Sequence, residues 1–238
     1  MPSYSISGTT DPFLKVSLEQ GESLIGAKDS MSAMSDTIDL RAKMQGGAMK
    51  SIARAVTGGG SFFMQEIVAE RGPGTLLMSP RYPGEVRAIE MNNDEWTLSD
   101  GCFLAADSGI ELETIRQKSI GTAVFGGSGG LFQLKASGTG TLAVSCLGSI
   151  HEMTIPAGED LVIDNGHAVA WPSDVQPSAG LATAKSGGLL TKVARSSATG
   201  EGVVLRFNGG ANGTRVLVSS RSLSSFAEWL SSMTGSSS

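Results

Sequence analysis

One unit of sequence is written three times along this 238-residue chain, and that repetition limits the available folds more than any other feature. Each unit has a glycine-rich turn, an alternating strand, a second turn ending in threonine, and another strand. The first reads Gly58-Gly-Gly-Ser-Phe-Phe63, then Gly72-Pro-Gly-Thr-Leu-Leu-Met78. The second reads Gly126-Gly-Ser-Gly-Gly-Leu-Phe132, then Gly138-Thr-Gly-Thr-Leu-Ala-Val144. The third reads Gly200-Glu-Gly-Val-Val-Leu205, then Asn212-Gly-Thr-Arg-Val-Leu-Val218. Thr75, Thr141 and Thr214 anchor the three copies. An earlier element repeats too: Leu98-Ser-Asp-Gly-Cys-Phe-Leu-Ala105 matches Ile163-Asp-Asn-Gly-His-Ala-Val-Ala170. The first copy has Leu24, Ile25 and Gly26 there and departs from the other two.

A repeat of this size is a supersecondary unit that cannot cover its own apolar face, so neighbouring copies must cover it. Between the strand elements, Met49, Ile52, Ala53 and Val56 recur at the spacing of one helix face. Leu189, Leu190 and Val193 repeat this stripe, and Ile120, Ala123 and Val124 keep a single turn of it. The expected organisation is one domain over residues 1–233, with copies at about 19–90, 91–157 and 158–222. A C-terminal helix is expected over 223–231, lined by Leu223, Phe226 and Leu230 and started by a Ser225-x-x-Glu228 capping box. Residues 234–238 read as a disordered tail. Three open units would leave strand edges bare, so a closed β body is expected in which the copies superpose.

Glycine, at 32 residues, is spread along the chain, as many tight turns require. The net charge of −5 lacks the electrostatic footprint of a nucleic-acid binder. No run approaches the roughly 20 apolar residues of a membrane span. The first residues resemble neither a signal peptide nor a presequence, and two cysteines make no disulfide framework. A reducing, cytoplasmic setting is expected.

Several segments in this order resemble the altered-inheritance-of-mitochondria family, in the superfamily of the tryptophan RNA-binding attenuation protein. They are Ser79-Pro-Arg-Tyr-Pro-Gly84, Ser108-Gly-Ile-Glu111, Phe125 to Phe132, Asp164 to Ala170, and Arg221-Ser-Leu-Ser-Ser225. The resemblance covers about Glu19 to Leu230. It implies a mostly β fold of three short double-stranded β-helix units around a pseudo-threefold axis, with short helices. It supplies no catalytic or binding residues. Mitochondrial members of the family are tied to inner-membrane organisation, whereas the absence of a presequence here favours a bacterial-type member.

The candidate chemistry is thin. Gly126-Gly-Ser128-Gly-Gly130 fits the nucleophile-elbow pattern, but a strand rather than a helix is expected after it, so a turn is the better reading. A cupin-type metal site needs three or four converging ligands, and the chain has only His151 and His167. Cys102 and His167 occupy equivalent places in copies two and three, and strand alternation points both inward, for packing. No glycine pattern fits nucleotide binding. Arg41, Lys43, Lys50 and Arg54 form a basic run open to a phosphate or an anionic lipid, and Tyr82, between two prolines, is a candidate contact aromatic. No catalytic residue, metal or cofactor is expected. The reading is a non-catalytic interaction or assembly module that binds a protein partner or itself, with no nucleic acid. The alternatives are RNA binding by analogy with the superfamily and a cupin-like metal-dependent enzyme.

Overall fold

The computed structural model describes residues 1–42, 64–116, 132–181 and 203–234. The first layer contains strands β1 (Ser3–Ser7), β2 (Phe13–Leu18), β4 (Met31–Met34) and β7 (Gly74–Met78), ordered β1-β2-β7-β4. β2 shows why these residues form a strand: Leu14, Val16 and Leu18 are buried, while Phe13, Lys15 and Ser17 between them face solvent. This is the period of two that puts alternate side chains on opposite faces.

The largest sheet adds β3 (Ser23–Ala27), β5 (Asp39–Ala42), β6 (Met64–Val68), β8 (Val86–Ser99), β9 (Phe103–Asp107) and β10 (Ile110–Arg116). It continues with β11 (Phe132–Ser145), β12 (Ile150–Ile155), β14 (Ala168–Pro172) and β17 (Thr214–Ser219), in the order β12-β17-β14-β8-β11-β9-β3-β6-β5, with β10 on β11. A third sheet joins β13 (Asp160–Asp164), β16 (Val203–Asn208) and β15 (Ser178–Leu181) in the order β13-β16-β15. All strand pairs within these sheets are antiparallel. One helix, α1 (Leu223–Thr234), follows the last strand.

The ladder between β8 and β11 is the spine, 14 residues on each side. Its register shifts at Gly138/Thr139, opposite Asn93, whose φ of 58° is left-handed. The bulge lets β11 change partners, from β10 before it to β9 after it. Gly140, at φ +137°, is required here: a Cβ would stand 2.8 Å from the Asp107 Cβ. That closeness lets the Thr141 N–H donate to one Asp107 oxygen (2.8 Å) while the Tyr4 hydroxyl donates to the other (2.6 Å). The buried carboxylate is thereby hydrogen-bonded on both oxygens and ties β1 to β9 and β11.

Apolar side chains gather in three clusters. One holds Leu14, Val16, Ile67, Leu76 and Met78; a second Trp96, Leu98, Ile110, Leu134 and Leu142; a third Ile155, Trp171, Leu205, Phe207 and Val216. Trp171 meets the Phe207 ring edge-on at 5.3 Å.

The molecule is thus mostly β, with several antiparallel sheets and a C-terminal helix, as expected. Closure is not met: among the described residues no sheet closes into a barrel, and each path ends in free edges. Edge exposure is limited in other ways. β4, β5 and β15 have four residues each, β1 is serine-rich, and β12 carries exposed His151 and Glu152. The stripes at 49–56, 120–124 and 189–193, and Ser128 in its glycine turn, lie outside the described residues.

Candidate functional site

The last strand hands the chain to α1 through a short, tightly bonded link. The Ser220 N–H donates to the Ser149 carbonyl (2.9 Å), and the Ser149 N–H donates to the Ser220 hydroxyl (2.9 Å). Ser222 is buried and caps the helix: its hydroxyl accepts from the Ser225 N–H at 3.2 Å. The cap therefore lies three residues before the expected Ser225, and the helix runs on to Thr234 rather than ending at 231. Three nearby serines could each cap. Ser222 is the one that does, and it packs against Gly166, where an added Cβ would come within 2.9 Å of the Ser222 Cβ.

Beside this link lies a groove of about 470 Å³, lined by His167, Ser220, Arg221, Ser222, Ser225, Phe226 and Trp229. His167 Nδ1 is 2.7 Å from the Ser219 carbonyl. A carbonyl only accepts, so Nδ1 carries a proton and donates it to this bond. The Phe226 and Trp229 rings lie 5.6 Å apart along the helix. Of the apolar row expected on one helix face, Phe226 is half-buried while Leu223 is 46% exposed and Leu230 43%, and Trp229 (53%) and Met233 (66%) are exposed with them.

A second cleft, of about 340 Å³, opens between the turn carrying Lys28 and Asp29 and the segment Asp100, Gly101 and Phe103, with Arg81 at its rim. Arg81 stacks over the Tyr82 ring at 5.5 Å, and Tyr82 is half-buried, packed close to Gly101. Cys102 lies beside this cleft in the turn between β8 and β9. Burial, with Cys146 and Asp100 nearby, pushes its thiol up to about 12. Cys146 is likewise raised to about 11, chiefly by burial, so both thiols are poor nucleophiles at neutral pH.

The strand-parity argument for Cys102 and His167 needs correction. Neither sits on a strand. Asp164 caps a 3-10 turn, Asn165–His167, by accepting from the Gly166 N–H (2.8 Å), and both side chains are half-buried rather than fully inward. His167 lines the groove beside α1, and Cys102 packs against the second apolar cluster. Of the basic run, Arg41 is exposed on β5 and paired with the Glu70 carboxylate; Lys43, Lys50 and Arg54 lie outside the described residues. Among the described residues no three His, Cys, Asp or Glu side chains converge on a metal-sized site. Sequence reasoning missed the groove at His167 and Arg221. A usable signal was the row Leu223, Phe226, Leu230, Met233, cut short by ending the helix at 231.

A family model described as mitochondrial biogenesis AIM24 matches residues 4–221. The chain belongs to the AIM24 family. Helix α1 lies just beyond the matched residues of this AIM24 chain. An uncharacterised protein of Streptococcus pyogenes serotype M6 is 33% identical over 204 residues, covering 83% of this chain and 78% of its own. The crystal structure of a Streptococcus pyogenes protein matches 98% of this chain and 100% of that one, with a TM-score of 0.77 and 29% identity. Among the described residues, no helix is long and apolar enough to cross a membrane.

Proposed function

We propose that this AIM24-family chain is a non-catalytic interaction and assembly module. The observation that carries the reading is the apolar row of α1, which faces solvent beside a groove while the other apolar side chains are largely gathered into three clusters. Exposed apolar surface that is contiguous and rimmed by polar groups marks a contact face. The chemistry-bearing groups support the same reading, because they are spent on structure. Asp107 holds Tyr4 and Thr141, His167 holds the Ser219 carbonyl, and the buried Thr97 and Ser173 hydroxyls bond each other at 2.8 Å.

The reading extends to architecture. Three double-stranded β-helix units about a pseudo-threefold axis, as in the superfamily of the tryptophan RNA-binding attenuation protein, are the arrangement the repeated sequence points to. Thr75, Thr141 and Thr214 also all stand in strands. A reducing, cytoplasmic setting is supported by two cysteines that stay unpaired.

The test is capture from an extract of the source cell with the chain and with Leu230→Glu, each captured protein being identified by mass spectrometry and then rebound as a purified component. Association lost with Leu230→Glu is the expected result. Associations untouched by that change would overturn the reading. So would ester or amide turnover by the purified chain that disappears with Ser128→Ala or His167→Ala.

A further inference from the structure

We infer that Asn212 is a modification site: its side-chain amide is hydrolysed through a cyclic imide formed with the Gly213 backbone nitrogen, leaving aspartyl and isoaspartyl chains. Asn-Gly occurs three times, at Asn165, Asn208 and Asn212, and the sequence alone ranks the three equally.

The reaction needs two free groups. The nitrogen of the following residue sheds its proton to solvent and attacks the asparagine Cγ. The new N–Cγ bond closes a five-membered ring, and the Cγ–Nδ2 bond breaks as ammonia leaves with a proton. Water then opens the ring at either carbonyl. Opening at Cγ gives aspartate, and opening at the main-chain carbon gives isoaspartate, with the chain rerouted through the side chain. Water is the only co-reactant, and nothing is oxidised or reduced. Glycine suits the attack because it has no Cβ to shield its nitrogen. A nitrogen that already donates a hydrogen bond, or an amide held at both ends, is kept out of reach.

The fold separates the three candidates. Asn208 is held on every side: Nδ2 donates to Asp160 Oδ1 (2.6 Å), Oδ1 accepts from the Gly210 N–H (2.8 Å), and the Gly209 N–H donates to the Glu159 carbonyl (2.9 Å). At Asn165 the attacking nitrogen is already engaged, because the Gly166 N–H donates to Asp164 Oδ1 (2.8 Å), and Asn165 Oδ1 is buried within the 3-10 turn. Asn212 differs at each point. It is exposed in the turn between β16 and β17, and among the described residues neither its side chain nor the Gly213 N–H has a hydrogen-bond partner. The first half of that turn is stitched to the β12–β13 turn by the Gly209 bond and by the Gly158 N–H, which donates to the Gly210 carbonyl (2.8 Å). Just past Gly213, Thr214 pairs with Ile155 at the start of the β12–β17 ladder. Asn212 therefore lies between two fixed points, and an isoaspartyl link, one main-chain atom longer, falls where the ladder begins.

Incubating the full, folded chain in warm, mildly alkaline buffer, beside a synthetic peptide of residues 207–215, tests this. Asn208 and Asn212 share the tryptic peptide 207–215, so its fragmentation spectrum ranks them directly. Aspartyl and isoaspartyl products should accumulate at Asn212 at a rate within about tenfold of the synthetic peptide, and at least about tenfold faster than at Asn208 or Asn165, which react only through local opening. In urea the three rates should converge. Asn212→Ser should remove the main product and leave the circular dichroism unchanged. Hydrogen exchange should quicken at Ile155 and Thr214 in the isoaspartyl form but not in Asn212→Asp, which carries the charge without the longer link. Asn212 still intact after the synthetic peptide has converted overturns the inference, and so does a faster reaction at Asn208 or Asn165. Exchange that quickens equally in Asn212→Asp overturns the part given to the longer link.

Discussion

Strand β2 and helix α1 are both amphipathic by sequence, and the fold treats them in opposite ways. In β2, the apolar row Leu14, Val16 and Leu18 is sealed, at most 2% exposed, by β6, β7 and the segment around Ile38. In α1, the row Leu223, Phe226, Leu230 and Met233 has just as regular a spacing, yet three of its four side chains stay between 43% and 66% exposed. Periodicity states that a face needs cover. It does not state whether that cover comes from the same chain, and the difference between β2 and α1 is the difference between a core and a contact surface.

The most direct way to break this comparison is truncation on both sides of it. Leu14→Ala should cost about 2–5 kcal/mol in urea unfolding, because it removes fully buried methyl groups and leaves a cavity. Leu230→Ala, measured in dilute solution, should stay within about 0.5 kcal/mol. Equal losses would mean that α1 is a core element after all.

A smaller effect is expected at the tie that holds β1 to the body. Tyr4→Phe removes a donor from the buried Asp107 and should cost about 1–3 kcal/mol near neutral pH. Burial, then the hydrogen bond to Asp107, raises the Tyr4 hydroxyl above its ordinary value of 10.0. The folded state therefore keeps a proton that the unfolded chain releases above that pH. The stability it contributes is full below about pH 10 and declines as the pH rises further. The gap between wild type and Tyr4→Phe should narrow above pH 10, and a gap that widens there would contradict the assignment.

The smallest effect sharpens the comparison from the helix side. Ser222→Ala should weaken α1 by about 1 kcal/mol through loss of its cap. Hydrogen exchange should rise at the Ser225 and Phe226 amides and stay unchanged in β2. Ser225→Ala should do much less, and the reverse ranking would restore the capping box read from sequence.

Strand character and the terminal helix were legible because each follows from local spacing. Thr75, Thr141 and Thr214 all lie in strands, and β2 alternates as its residues demand. What escaped was decided across the chain or by a single side chain. Asp164 bends Asn165–His167 into a turn and so removes His167 from the alternation that placed it inward. Ser222, packed against Gly166 from far away in sequence, caps α1 in place of its neighbours. The long β8–β11 ladder, with a bulge that hands β11 from β10 to β9, arises from pairings no local window contains. The exposure of the α1 row could not be read either, since a seam for a partner and a stripe for a core begin with the same residues.

The β8–β11 ladder also bears on how the chain reaches this state. Val86 pairs with Ser145, Leu14 with Met78, and Tyr4 reaches Asp107 across 103 positions. The β1–β2 hairpin can form from its own short turn, but it has nothing to lie against until β7 arrives. Closing such wide loops costs entropy before the contacts return any, so folding should be slow for a chain of this size. While it waits, β2 offers a bare apolar strand edge to any neighbouring chain, which makes the newly synthesised protein more prone to aggregate than the finished one.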